Sequence, residues 1–285
     1  MKLNSIDIVN VRSIVNLKMN FSSDVNLIYG ENGKGKTSIL EAIHFLSISK
    51  SFRKGKKLGI KTKGKRSMFV SGKIDSNGEK IIISYGNTET EKKFKINKKT
   101  INKTKNLIGV FPSVILSPED VNIVSGGNST KVFFIDKLLS TTSSDYLNSL
   151  LKYKKILANR NKCLSEKQPE TNIFLWDNLL ATEAFFIWEK RNLFFKEFKK
   201  IFKKNWEKVL LNNSHALNYK VPQFSTKEEF LNALKKNIQK DYTRKHTTMG
   251  PHRDEIFFKF NDFDLRHEAS QGEKKFFLIL LKISE

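Results

Sequence analysis

Eight consecutive residues, Gly30-Glu31-Asn32-Gly33-Lys34-Gly35-Lys36-Thr37, fit the phosphate-loop pattern G-x-x-x-x-G-K-[ST] without a gap. Gly30, Gly33 and Gly35 let the backbone fold tightly around an anion, and the N–H groups at the start of the following helix point at its phosphates. Lys36 adds a point charge near the β- and γ-phosphates, and Thr37 offers its hydroxyl to the magnesium ion that bridges them. The loop, with Glu31, Asn32 and Lys34 completing it, predicts a bound nucleotide.

A second anion-binding candidate is Ser270-Gln271-Gly272-Glu273-Lys274-Lys275, which leads into the apolar run Phe276 to Ile283. Ser270 and Gly272 at a helix N-terminus present a hydroxyl and N–H donors. Alone the pattern is weak. Downstream of a phosphate loop, and separated from it by a long insertion, it matches the signature sequence of ATP-binding-cassette ATPases. Between the two lies Thr247-Thr248-Met249-Gly250-Pro251-His252-Arg253-Asp254, a polar turn before an expected strand, Glu255 to Phe260. His252 is open to a catalytic role, although an isolated histidine beside Pro and Arg is more often structural, and no other histidine is close enough in sequence to suggest a metal site.

The elements that must position these groups follow from apolar spacing. Val25-Asn26-Leu27-Ile28-Tyr29 reads as a buried strand before the loop, and Ile39, Ile43 and Leu46, with Leu40 beside them, as the helix after it. Leu3 to Val11 reads as a first strand and Leu17 to Phe21 as a half-exposed one. Met68 to Ile74 and Lys80 to Tyr85 flank the turn Asp75-Ser76-Asn77-Gly78, and Lys92 to Ile101 gives a third alternating run, so an antiparallel meander is expected beside a parallel nucleotide-binding sheet. Val114-Ile115-Leu116 reads as a buried strand ending at a helix start, with Ser117 as cap and Pro118 in the first helical position. From Lys131 to about Tyr242 the pattern is helical, with Trp176, Leu180, Ala184, Ile187, Phe194, Phe198 and Ile201 on one stripe and Lys227 to Lys240 as one more helix.

The 285 residues are 39% hydrophobic and carry a net charge of +23. A lysine-rich surface gains affinity for nucleic acid by releasing counterions. Between Lys50 and Lys105 there are 18 Lys and Arg against 4 Asp and Glu, a net +14, which makes Arg53, Lys54, Lys56, Lys57, Lys65 and Arg66 candidate phosphate contacts. Solvated lysine from an A- and T-rich gene is the plainer alternative. Cys163 is the single cysteine and reads as a small buried hydrophobe. No apolar run approaches the roughly 20 residues of a membrane span and Met1-Lys2-Leu3-Asn4-Ser5 is not a signal peptide, so cytoplasm is the default location.

Along nearly its whole length the sequence resembles the RecF family of bacterial recombination-repair ATPases, related to SMC and ATP-binding-cassette heads. The resemblance rests on Gly30 to Ile43, Ser51-Phe52-Arg53, Leu116-Ser117-Pro118-Glu119-Asp120-Val121, Tyr153 with Arg160-Asn161, Trp176-Asp177, Gly250 to Asp254 and Ser270 to Lys275. It implies an α/β fold, an ABC-type P-loop ATPase head of mixed sheet with an antiparallel meander and an inserted all-helical lobe. Residues 1–130 and 245–285 would form the head, and 131–244 the lobe. It also implies a homodimer driven by ATP and magnesium, each ATP touching Lys36 and Thr37 of one subunit and Ser270 and Gly272 of the other. Single-stranded DNA or single/double-strand junctions, recombination mediator proteins, recombinase loading, DNA replication and the SOS response are the implied partners and processes.

In the family an apolar strand with acidic residues (Walker B) and a switch histidine follow the signature helix, whereas this sequence stops at Ser284-Glu285. A truncated product or fragment is therefore expected, with no catalytic residue of its own, poor nucleotide binding, scarcely any hydrolysis and an unpaired gap in its sheet. Two alternatives stay open: another SMC-like, nuclease-coupled ATPase, or a DNA-binding module without catalysis.

Overall fold

Residues 1–53, 59–209, 215–220, 224–260 and 263–285 are described by the computed structural model. The chain forms two compact units, 1–113 and 114–285.

In the first unit, alternation puts Ile6 and Ile8 of β1 (Lys2–Val11) on one buried face, and Val11, past Asn10 at positive φ, is buried as well. Strands β2 (Ile14–Asn20), β3 (Met68–Ser76), β4 (Glu79–Asn87), β5 (Lys92–Ile96) and β6 (Lys99–Ile101) complete a sheet of order β2-β1-β3-β4-β5-β6, antiparallel throughout. The β3–β4 turn sits at Asn77 and Gly78, both at positive φ, with the Gly78 N–H donating to Asp75 Oδ1 at 2.9 Å. The run Lys92 to Ile101, expected as one strand, is two, because Asn97 and Lys98 also take positive φ and form a second tight hairpin. Helix α1 (Lys36–Ile48) packs Ile39, Ala42, Phe45 and Leu46 into the core formed by Val70, Ile74, Ile83 and Tyr85. Gly72 permits that approach: a Cβ there would lie 2.9 Å from Leu46 Cδ1.

Two expectations fail. Residues 25–29 and 114–116, read as buried strands of a parallel sheet, lie outside any ladder among the described residues. Val25, Leu27 and Tyr29 are 87%, 82% and 86% exposed, and Val114 and Leu116 are also exposed. Apolar content marks a segment as able to be buried; burial itself needs neighbouring strands on both sides.

The second unit is built on α5 (Glu170–Glu207), a 38-residue helix packed by α2 (Val121–Ser125), α3 (Asn128–Thr142), α4 (Ser144–Ser165), α6 (Lys227–Lys236), α7 (Ile238–Arg244) and α8 (Gln271–Ile283) with a small sheet, β7 (His215–Lys220), β8 (Glu255–Phe260) and β9 (Phe263–Asp264). The α5 stripe holds at Leu180, Ala184, Ile187 and Phe198, but Ile201 is exposed and Phe195, Phe202 and Trp206 are buried instead. A period of 3.6 drifts away from a strict three-four spacing over this length. The Lys227 to Lys240 helix is two, divided at Asn237, whose amide donates to Asp241 and Thr248. Strand β7 interrupts the region read as wholly helical, and β8, β9 and α8 pack with these helices in the second unit.

Candidate nucleotide site and its supports

The phosphate loop caps α1 with glycine alone. Gly30, Gly33 and Gly35 have φ of 140°, 84° and 94°, the region where only glycine is unstrained, and a Cβ at 30 or 33 would meet nothing within 4 Å, leaving the cradle open. No side chain caps the helix. Among the described residues the N–H groups of Gly33, Gly35, Lys36 and Thr37 have no backbone acceptor, which leaves them directed at whatever the loop encloses. Lys36 Nζ donates to Gly30 O at 2.7 Å and Glu31 O at 2.8 Å, so its charge rests on the loop rather than in solvent. Thr37, Glu31, Asn32 and Lys34 are exposed. The loop residues suit a triphosphate, which would replace two carbonyls as the partner of Lys36 and bring a metal ion to the Thr37 hydroxyl.

One turn into α1 lies a clamp that spacing could not reveal. Glu41, fully buried, accepts from Arg12 Nε at 2.9 Å and Nη2 at 2.6 Å and from the Ser51 hydroxyl, with Arg53 Nε 3.9 Å away. Burial alone would raise this carboxyl, but the hydrogen bonds of Arg12 and Ser51 and the charges of Arg12 and Arg53 outweigh it and hold the group below the usual carboxylate range. The clamp ties the β1–β2 turn and the Ser51-Phe52-Arg53 segment to the helix that carries the loop. Of the basic candidates, Arg53, Lys65 and Arg66 are exposed, and Arg66 lies 3.6 Å from Glu89. Lys54, Lys56 and Lys57 lie outside the described residues.

In the second unit Ser270 caps α8. Its Oγ accepts from Glu273 N at 3.2 Å while Glu273 accepts from Ser270 N at 2.7 Å, a closed capping box. Ser270, Gln271 and Gly272 are all on the surface, so the hydroxyl and the first N–H groups of the helix face outward. Ser117 and Asp120 share a similar arrangement, the Asp120 carboxylate accepting from Ser117 N at 2.8 Å.

The Gly250 to Asp254 stretch is a buried knot. Asp254 accepts from Trp188 Nε1 at 2.8 Å, Tyr219 Oη at 2.6 Å and Arg191, which also reaches Asp136 at 2.7 Å and Pro251 O at 2.7 Å. His252 Nε2 lies 3.0 Å from Thr247 O and Nδ1 2.6 Å from Tyr153 Oη. A carbonyl only accepts, so Nε2 carries the hydrogen and Tyr153 donates to Nδ1. Burial, with the charges of Arg253, His246 and Arg191, pulls the imidazole pKa down to about 4, against a smaller opposing effect of Thr247. His252 is thus a neutral joint in the fold, as an isolated histidine there suggested. Arg160, fully buried between Asp177 and Asp241 at 2.7 Å each, anchors Thr247 from the other side.

Comparison with known proteins places these features in one family. Residues 5–248 match the AAA domain family. The DNA replication and repair protein RecF of Leptospira interrogans is 34% identical over 99% of this chain and 78% of its own length, and that of Bacteroides fragilis 31% over 100% and 78%. The solved structure of the recombination mediator protein RecF with ATP superposes with a TM-score of 0.90 at 30% identity, covering 99% of this chain and 80% of that one. The chain belongs to the RecF family. Its fold is the P-loop ATPase head of RecF, and the sequence segments that carried the resemblance are the phosphate loop, the clamp, the two capped helix starts and the knot described above. What sequence reasoning missed is the pairing: Arg12 with Glu41, and Asp254 with Trp188, Arg191 and Tyr219, lie 29 to 66 residues apart. The one available signal was a glutamate inside an apolar helical run.

Proposed function

We propose that this RecF-family chain binds ATP with magnesium at Gly30–Thr37 and uses that binding to control its hold on DNA in replication, recombinational repair and SOS induction. The observation that carries the reading is the open glycine cradle at an uncapped helix start, with Lys36 held over it and Thr37 exposed. Residues 1–130 and 245–285 act as the head and 131–244 as the lobe. A second copy supplies Ser270 and Gly272 to the γ-phosphate, so nucleotide stabilises a homodimer by mass action. Single-stranded DNA or strand junctions meet the basic surface that includes Arg53, Lys65 and Arg66, and mediator proteins of the same pathway use the assembly to load a recombinase. The similarity to RecF solved with ATP supports the nucleotide, and the net charge of +23 supports the polyanion. DNA affinity measured with and without ATP, for the wild type and Lys36→Ala, tests it. An ATP effect in the wild type that Lys36→Ala abolishes is expected; equal affinity in all four cases would refute it.

A further inference from the structure

The face of the β2-β1-β3-β4-β5-β6 sheet opposite α1 is open, and its composition is unusual for a solvated sheet surface. Register places Lys18, Asp7, Ser71, Ser84 and Lys95 in one row across five strands, and Asn16, Val9, Phe69, Gly86 and Lys93 in the next. Lys73, opposite Ile82, stands two residues along β3 from Ser71. The middle of the face is therefore low, built from Ser71, Ser84 and Gly86, while Phe69 shows 39% of its surface to solvent beside them. A depression of about 290 Å³ opens on the β1 and β2 side of Phe69 and Ser71, lined by Phe69, Ser71, Lys73, Lys18 and Asp7, among others.

Charge at this face is lopsided. Asp7 is paired with Lys18 at 3.6 Å and Lys93 is paired with Glu91, whereas Lys73 and Lys95 have no acidic partner among the described residues. Strand spacing of about 4.8 Å and a rise of about 3.4 Å per residue put the last two roughly 12 Å apart, Lys73 beyond Ser71 along β3 and Lys95 beside Ser84 on β5. Phe69 has free area and no large neighbour on its Gly86 side, and the unpaired ammonium groups of Lys73 and Lys95 both lie farther toward one end of the face, so the surface offers a stacking platform with phosphate contacts to one side of it. Duplex bases turn their faces to each other; only unpaired bases offer a ring to Phe69.

We propose that this sheet face binds single-stranded nucleic acid, a base stacking on Phe69 and neighbouring phosphates pairing with Lys73 and Lys95. The inference rests on the DNA-binding reading above and assigns it a surface distinct from Arg53, Lys65 and Arg66.

The test uses the full chain and a 15-nucleotide oligothymidine, with a duplex of equal length as comparison. Phe69→Trp puts an indole on the platform, and oligothymidine is expected to quench its emission beyond any change in the wild-type tryptophans, while the duplex does not. Phe69→Ala should weaken oligothymidine binding roughly tenfold, the factor of a lost base stack, with Phe69→Trp retaining it. Lys73→Glu with Lys95→Glu removes two phosphate contacts and should lower the slope of log affinity against log salt by about 1.4. Wild-type affinity and slope in the Phe69→Ala and double-lysine variants, with the wild type binding normally, overturn the surface alone. Equal quenching by the duplex overturns the single-strand assignment, and a wild type that binds neither DNA removes the broader reading with it.

Discussion

Acid titration of His252 gives a stability effect whose size can be worked out in advance. The folded chain holds the imidazole neutral down to about pH 4, against an ordinary value near 6.5 when unfolded. Between those values the unfolded chain carries a proton that the folded one refuses, so stability contributed by the neutral ring is complete above pH 6.5 and is lost as pH falls toward 4. Each pH unit in that window costs about 1.4 kcal/mol, and the whole window about 3 kcal/mol. His252→Gln keeps one donor and one acceptor but cannot titrate. Urea unfolding followed by tryptophan emission reports on residues 114–285 alone, since Trp176, Trp188 and Trp206 all lie there. The difference between wild type and His252→Gln should shrink or reverse by about 3 kcal/mol from pH 7 to pH 4. A difference that stays constant across that range would refute the buried neutral joint.

Removing Asp254 leaves the buried Arg191 with one of its two carboxylate partners, Asp136, and strips Trp188 and Tyr219 of their acceptor, so Asp254→Ala should lower the stability of this unit by about 3–5 kcal/mol in the same urea assay. Gly250→Ala should cost clearly more than Gly78→Ala: both glycines are at positive φ, but a Cβ at 250 would lie 2.5 Å from Tyr153 Oη and one at 78 would meet nothing. Thermal midpoints of the two variants check the order. Glu41→Gln removes the charge that Arg12 and Arg53 face, and because the wild-type carboxyl titrates low, its contribution is present above the normal carboxylate range and lost as pH falls below it. The variant should therefore be less stable at pH 7 and converge on the wild type under acid, as read by circular dichroism melting.

How much was legible in the sequence depended on the range of the interaction. The phosphate loop, the Asn77-Gly78 turn and the Ser270 cap are local: the residues that decide them sit within a few positions of each other, and each takes the conformation that its type predicts. Val25 to Tyr29 shows the opposite case, since strand formation there needs a partner that the segment's own residues cannot specify. The Lys92 to Ile101 run kept its alternation but hid its turn, because Asn97 and Lys98 are not the Asn-Gly pair that announces a tight hairpin. Strand β7 was hidden for a related reason, being short and embedded in helical sequence. For the site, the phosphate-loop residues and the serine-glycine pair could be named as candidates from local sequence, but not the supports. Glu41, His252 and Asp254 each have partners on other elements, and a single sequence carries no record of those contacts.

Calorimetric titration of ATP with magnesium into the wild type and Lys36→Ala is the most direct measurement of the central claim, that the Gly30–Thr37 cradle grips a triphosphate. The wild type should bind one nucleotide per chain, and Lys36→Ala should weaken that binding by tenfold or more while its circular dichroism spectrum stays unchanged. Indistinguishable isotherms for the two proteins would contradict it.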